Sequence, residues 1–280
     1  MKDNSIKVTG QKINPDDLPF RHYTIKHRVT AWISQHLFDW CTYKIRHGLL
    51  QGMQRKGGLG WLPEFLSKGV ETKEHAFWES LDLGGLTVYD VGAFHGILTL
   101  FFARRCAKVI SYEPNTQNHL RLMENIQLNG LKNVVVRKLG LGSHPGTGVL
   151  VYSPLMSGGG SLQPVHSKMR QKSEQIAITS FDKDIMESGL PVPDLIKIDV
   201  EGYELEVLKG ACKTLTTRHP ALFLEMHGET VNEKRRNVND IVSFLLELGY
   251  QNILHVESGE RITLANTSVA AEGHLYCLAG

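Results

Sequence analysis

The chain has 280 residues, 41% of them hydrophobic, which is enough to bury a full core and excludes a disordered chain. A formal net charge of +2 falls short of the basic excess that phosphate-backbone binding needs, so nucleic acid is not expected as a partner. The polar start, Met1 to Asp17, lacks a secretory signal, and no apolar run reaches the roughly 20 residues of a membrane span, so a cytoplasmic location is expected.

Residues 1–60 read as a basic N-terminal arm and 61–280 as the main domain. Between Arg21 and Lys56, Arg21, Lys26, Arg28, Lys44, Arg46, Arg55 and Lys56 face one acid, Asp39. Ile25, Val29, Trp32, Ile33, His36, Trp40 and Tyr43 recur at three- and four-residue steps, the pattern of an amphipathic helix. Such a helix packs on the main domain, or presents a tryptophan-bearing basic face to an anionic membrane or polyanionic substrate. Lys56-Gly57-Gly58-Leu59-Gly60 then breaks the pattern as a connector.

From Leu86 onward, strands alternate with helices. Strands are predicted at Leu86–Val91, Lys108–Glu113, Val134–Arg137, Leu195–Asp199, Ala221–Glu225 and Ile253–Val256. Helices are predicted at Ile97–Cys106, Thr116–Asn129, Glu204–Leu215 and Asn239–Leu248. Unbroken apolar strands alternating with helices imply a doubly wound α/β fold with a mostly parallel, seven-stranded sheet. His274–Leu278, with no helix after it, reads as an antiparallel last strand. Cys106, Cys212 and Cys277 sit among apolar neighbours and read as core thiols of a reducing compartment; none of the four cysteines forms a CxxC pair.

In such a sheet the ligand lies beyond the carboxyl ends of the strands. The first strand runs into Asp90-Val91-Gly92-Ala93-Phe94-His95-Gly96, where Gly92 and Gly96 permit a tight turn into the next helix. A carboxylate at the mouth of that loop repels a diphosphate and suits a cation. S-adenosylmethionine carries a sulfonium and an ammonium, and Glu113, ending the second strand, can accept both ribose hydroxyls. Glu113-Pro114-Asn115 also reads as a helix cap. Gly140-Leu141-Gly142 is placed at the adenine edge, and His95 as a pocket-lining residue. The tract Ser157-Gly158-Gly159-Gly160-Ser161, after an extra strand at Val149–Ser153, reads as a flexible lid or a surface loop.

Asp90-Val91-Gly92-Ala93, Glu113-Pro114-Asn115, Ile198-Asp199-Val200-Glu201-Gly202-Tyr203-Glu204 and Leu208-Lys209-Gly210-Ala211 together resemble the FkbM-type methyltransferases, over roughly Val88 to His227. The resemblance implies a class I methyltransferase (Rossmann-like) fold, S-adenosylmethionine as donor, and O-methylation of a hydroxyl on a sugar, glycan or natural product. A nicotinamide-dependent oxidoreductase and a non-catalytic adenosyl-ligand-binding protein are the competing readings. The oxidoreductase would need a third glycine in the G-x-G-x-x-G register, which is missing.

A hydroxyl acceptor needs its proton removed and its oxygen held in line with the donor methyl. Candidates lie at two neighbouring strand ends: Asp199 and Glu201, and Glu225 and His227. Asp199 and Glu201 also suit the first turn of a helix. His227 is the natural base near neutral pH, and Glu201 could serve if burial raises its pKa. Asp199 with Glu225 could instead hold a divalent metal ion.

Overall fold

A computed structural model describes residues 6–8, 11–13, 40–57, 72–153, 156–161 and 172–280. Two short strands, β1 (Ile6–Val8) and β2 (Gln11–Ile13), pair with each other as an antiparallel hairpin. Most of the expected N-terminal helix lies outside the described residues, but its end does not. Trp40 is in a turn and Tyr43 lies in β3 (Thr42–Lys44), which pairs antiparallel with β4 (Gln54–Lys56). The three-residue spacing of Trp40 and Tyr43 is therefore not helical. Glycines at positive φ, Gly48 (72°) and Gly52 (88°), let the intervening segment fold back, which buries Ile45, Leu50 and Met53 in the main core. Of the connector, Lys56 completes β4, and Gly58 to Gly60 lie outside the described residues.

The central sheet is built from β5 (Thr87–Val91), β6 (Lys108–Tyr112), β7 (Val134–Arg137), β12 (Leu195–Ile198), β13 (Ala221–Glu225), β14 (Asn252–His255) and β15 (His274–Leu278). Their order is β14-β15-β13-β12-β5-β6-β7, and β15 runs antiparallel to both its neighbours. This is the expected Rossmann-like, seven-stranded arrangement. Successive strand residues point to opposite faces, so Val88, Val109, Leu195 and Phe223 join one core while Tyr89, Ile110, Ile196 and Leu224 join the other. The first core is closed by α1 (Lys73–Ser80), α2 (Ile97–Arg105) and α3 (Thr116–Leu128); there Trp78 is fully buried, edge-on to Phe102 at 5.0 Å. The second is closed by α4 (Phe181–Ser188), α5 (Glu204–Gly210), α6 (Cys212–Arg218) and α7 (Val231–Glu247).

The helix predicted at Glu204–Leu215 breaks at Ala211 into α5 and α6. A Cβ on Gly210 would lie 2.0 Å from the Gly142 carbonyl oxygen, so a glycine there lets α5 press against the neighbouring loop. Cys106 and Cys277 are buried as expected, but Cys212, at the exposed start of α6, is not a core residue.

Between β7 and α4 the chain makes a second sheet of order β10-β9-β11-β8 from β8 (Gly140–Leu141), β9 (Gly146–Ser153), β10 (Met156–Ser161) and β11 (Lys172–Thr179). The glycine tract expected as a lid or loop is thus the edge strand β10, paired irregularly with β9. On β11, Glu174 accepts from the Thr116 backbone N–H at 3.1 Å and from the Thr116 hydroxyl, which ties this sheet to the start of α3. Among the described residues no helix is long and apolar enough to cross a membrane.

Candidate active site

Strand order reverses between β5, which leads to β6 and β7, and β12, which leads to β13. At that switch point, beyond the strand carboxyl ends, lies a cleft of about 810 Å³, its open mouth included. It is lined by Val91, Gly92, Phe94, Tyr112, Glu113, Pro114, Asn118, Leu139, Gly140, Leu141, Leu150, Asp199, Val200, Glu201 and Tyr203. The two central strands meet so closely that a Cβ on Gly92 (φ 80°) would lie 1.7 Å from the Asp199 carbonyl oxygen. Only glycine fits there. Of the three non-glycine residues at positive φ among the described residues, Phe94 (50°) and Glu201 (55°) both line the cleft, so backbone strain concentrates at the site.

Glu113 holds the glycine loop in place. Its Oε2 accepts from the Phe94 backbone N–H at 2.8 Å, and its Oε1 accepts from the Asn115 N–H at 3.0 Å and Asn118 Nδ2 at 3.4 Å. Burial pushes its pKa up to about 7, even though those hydrogen bonds favour the carboxylate. Gly92, Phe94, Glu113, Pro114, Gly140, Asp199 and Glu201 line the cleft as the strand-end reasoning predicts. Ala93, Gly96 and Asn115 instead shape its walls. Ala93 packs in the core, Gly96 precedes α2 against Leu122, and the Asn115 side chain caps α3 by accepting from the Gln117 and Asn118 N–H groups. The contributions of Tyr112, Asn118, Leu139, Leu150, Val200 and Tyr203 come from strand order and from the second sheet, neither of which a local motif encodes.

Asp90 does not face the cleft. It is fully buried, its Oδ2 accepts from Thr99 Oγ1 at 2.5 Å, and its Oδ1 pairs with Lys197 Nζ at 3.3 Å. Lys197 was not singled out from the sequence. Its ammonium donates to the Gly92 carbonyl at 3.1 Å and to Asp199 Oδ2 at 3.2 Å. Burial works against that charge, but Asp199 and Asp90 more than offset it and raise the lysine pKa. Asp90 thus acts beneath the loop, and it is Asp199 and Glu201 that make the cleft acidic.

The acceptor-side group converges on one imidazole. His227 donates from Nδ1 to Glu204 Oε1 at 2.8 Å, and its Nε2 lies 3.5 Å from Glu225, 3.7 Å from Asp199 and 3.7 Å from Glu201. Burial disfavours charge on this ring, yet hydrogen bonds to Glu204 and Glu225 and the nearby carboxylates push its pKa up to about 11. That pulls His227 toward the imidazolium, which disfavours it among the base candidates, His227 and Glu201, that the sequence left open. Glu225 is also a poor base: burial raises its pKa, but His227 and His274 pull it well below the usual carboxylate range. Asp199 differs. Burial raises its pKa to about 6, Lys197 and His227 lowering it while Glu225 and Glu201 raise it, and its side chain is 29% exposed toward the cleft.

Asp199, Glu201 and His227 bring ligand atoms within 4.8 Å of one another, a spacing a divalent ion could bridge. The pair expected as metal ligands, Asp199 and Glu225, flanks His227 Nε2, so the imidazolium already supplies positive charge between them. His95, expected to line the pocket, is not among the residues that line the cleft. Burial and the fields of Arg55 and Arg121 lower its pKa to about 3, and its ring stacks on Phe94 with centroids 3.7 Å apart.

Residues 90–251 match the methyltransferase FkbM domain. The hexuronic acid methyltransferase AglP of Haloferax volcanii is 34% identical over 142 residues, covering 50% of this chain and 56% of that protein. Methyltransferase sdnD of Sordaria araneosa is 31% identical over 153 residues, covering 44% of this chain and 59% of that protein. The chain thus spans little more than half the length of these curated relatives. A crystal structure of methyltransferase FkbM from Methylobacillus flagellatus KT aligns with a TM-score of 0.46 and 20% identity over 69% of this chain and 43% of that one.

Proposed function

The chain belongs to the FkbM methyltransferase family, and from that membership we propose that it transfers a methyl group from S-adenosylmethionine to a hydroxyl of a sugar, glycan or natural product. The observation that carries this reading is the chemistry of the cleft lining: among the described residues it holds three carboxylates, Glu113, Asp199 and Glu201, and no lysine or arginine. That set suits a cationic nucleoside and rejects the diphosphate of a nicotinamide cofactor. The name of the relative AglP, a hexuronic acid methyltransferase, favours a saccharide acceptor.

S-adenosylmethionine, when bound, supplies a methyl group already activated on a sulfonium. Glu113, at the end of β6, is the residue to accept the ribose hydroxyls, and the apolar wall of Leu139, Leu141, Leu150 and Tyr203 offers a surface to the adenine. Asp199 and Glu201 face the cationic end. Asp199 is the group that accepts the acceptor's proton, since Lys197 fixes one of its oxygens and leaves the other toward the cleft and His227. The His227 imidazolium holds the surrounding carboxylates in place and stabilises their charge.

Calorimetric titration with S-adenosylhomocysteine tests the donor half. The ribose contact needs the Glu113 carboxylate, and its pKa of about 7 leaves it mostly protonated at pH 6. Affinity should therefore rise about tenfold from pH 6 to pH 8, and Glu113→Gln should abolish the step centred near 7. NAD binding without S-adenosylhomocysteine binding would overturn the reading. Transfer of labelled methyl across a panel of saccharides and small hydroxylated acceptors tests the other half; tight product binding with no turnover on any of them would leave a non-catalytic binding protein.

A further inference from the structure

The charges of the donor are only partly matched by the cleft. S-adenosylmethionine ends in an α-carboxylate as well as an ammonium, and among the described residues the lining offers that anion no cation. The two cations beneath the cleft are engaged elsewhere: Lys197 holds Asp90, Asp199 and the Gly92 carbonyl, and His227 is surrounded by carboxylates. Among the described residues, a cationic partner has to come from outside this lining.

The hairpin β3–β4 docks on α3 beside the glycine loop. The Lys56 backbone N–H donates to Asn125 Oδ1 at 2.9 Å, and Asn125 Nδ2 donates to the His95 carbonyl at 2.8 Å, so one side chain joins β4 to the loop. Arg55 precedes Lys56, and its field reaches the His95 imidazole, the ring stacked on the cleft-lining Phe94. Its Nε is buried with no hydrogen-bond partner among the described residues. A buried donor left without an acceptor is costly, and a guanidinium recovers most when the acceptor is a carboxylate.

We propose that Arg55 binds the α-carboxylate of the donor's amino-acid end, so that the N-terminal hairpin completes the donor site. This inference rests on the donor reading above. It assigns a binding role to a segment outside the family match, which begins at residue 90.

The experiment compares two ligands on the wild-type chain, Arg55→Met and Arg55→Lys by calorimetry. S-adenosylhomocysteine carries the carboxylate, whereas 5′-methylthioadenosine keeps the adenosine and thioether and lacks the amino-acid group. Arg55→Met should weaken S-adenosylhomocysteine about 10- to 100-fold and leave 5′-methylthioadenosine within about twofold, with Arg55→Lys between. Retained 5′-methylthioadenosine binding also shows that the variant is folded. Equal losses for both ligands would make Arg55 a structural residue and overturn the proposal, as would no loss for either. A raised acceptor KM with donor-product affinity intact would overturn it too, because the carboxylate would then belong to the acceptor. If the wild-type chain binds neither ligand, the donor reading itself fails, and this inference with it.

Discussion

Replacing Lys197 with Met is expected to lower the unfolding free energy by about 3–5 kcal/mol. The side chain is buried between Asp90, which is fully buried, and Asp199, and it also satisfies the Gly92 carbonyl. Methionine matches its length and fills the space, so packing changes little. What is lost is the only cation paired with Asp90 among the described residues. The cost is therefore electrostatic. Asp90→Asn on the Lys197→Met background should recover part of the loss, although Asp90→Asn alone destabilises. Chemical denaturation of the four members of this cycle measures the coupling. Equal midpoints for Lys197→Met and the parent would mean that Asp90 and Lys197 are not a buried pair.

That pair also marks where sequence reasoning stops. The strand ends were legible because each apolar run is closed by a glycine or an acid, and the fold requires ligands at such ends. Glu113, Gly92 and Asp199 were found this way. Asp90 was misplaced because a carboxylate beside a glycine loop looks the same whether it faces the ligand or lies under the loop. Only the sheet decides: β5 and β12 are adjacent and place Lys197 directly across from Asp90, although 107 positions separate them. A single lysine in Leu-Ile-Lys-Ile gives no local sign of that register. The hairpin at 42–56 was hidden by chance helical spacing at Trp40 and Tyr43, and pairing with β4 overrode it. The strand β11 (Lys172–Thr179) went unread because its first half is polar and exposed. The role of His227 was left open for a related reason. Its type and position were right, but Glu204, on a helix 23 positions earlier, locks its Nδ1, and three more carboxylates surround the ring.

Asp199→Asn should reduce kcat by about 10²- to 10⁴-fold, well beyond any loss of S-adenosylhomocysteine affinity. Asparagine keeps the shape and can still accept from Lys197 Nζ, which in the parent lies 3.2 Å from the Asp199 carboxylate. It cannot take a proton from a hydroxyl. Of the four acceptor-side groups, His227 is held protonated and Glu225 is pulled too low to be an effective base, whereas Asp199 has a pKa of about 6 and faces the cleft. A base must be ionised to act, so with donor saturating the parent's kcat/KM for the acceptor should climb tenfold per pH unit below about 6 and level off above it. The residual rate of Asp199→Asn should lack that limb. His227→Gln should cost less and keep the limb near the same pH, because the imidazolium positions and neutralises its neighbours without accepting the proton. If His227→Gln removed the limb and Asp199→Asn kept it, the two roles would be reversed. If a chelator abolished parental turnover and Mg²⁺ restored it, Asp199, Glu201 and His227 would instead be holding a metal ion that acidifies the hydroxyl. The proton would then leave by a metal-assisted route, and the acid group at the ends of β12 and β13 would owe its density to a divalent cation and not to the imidazolium at its centre.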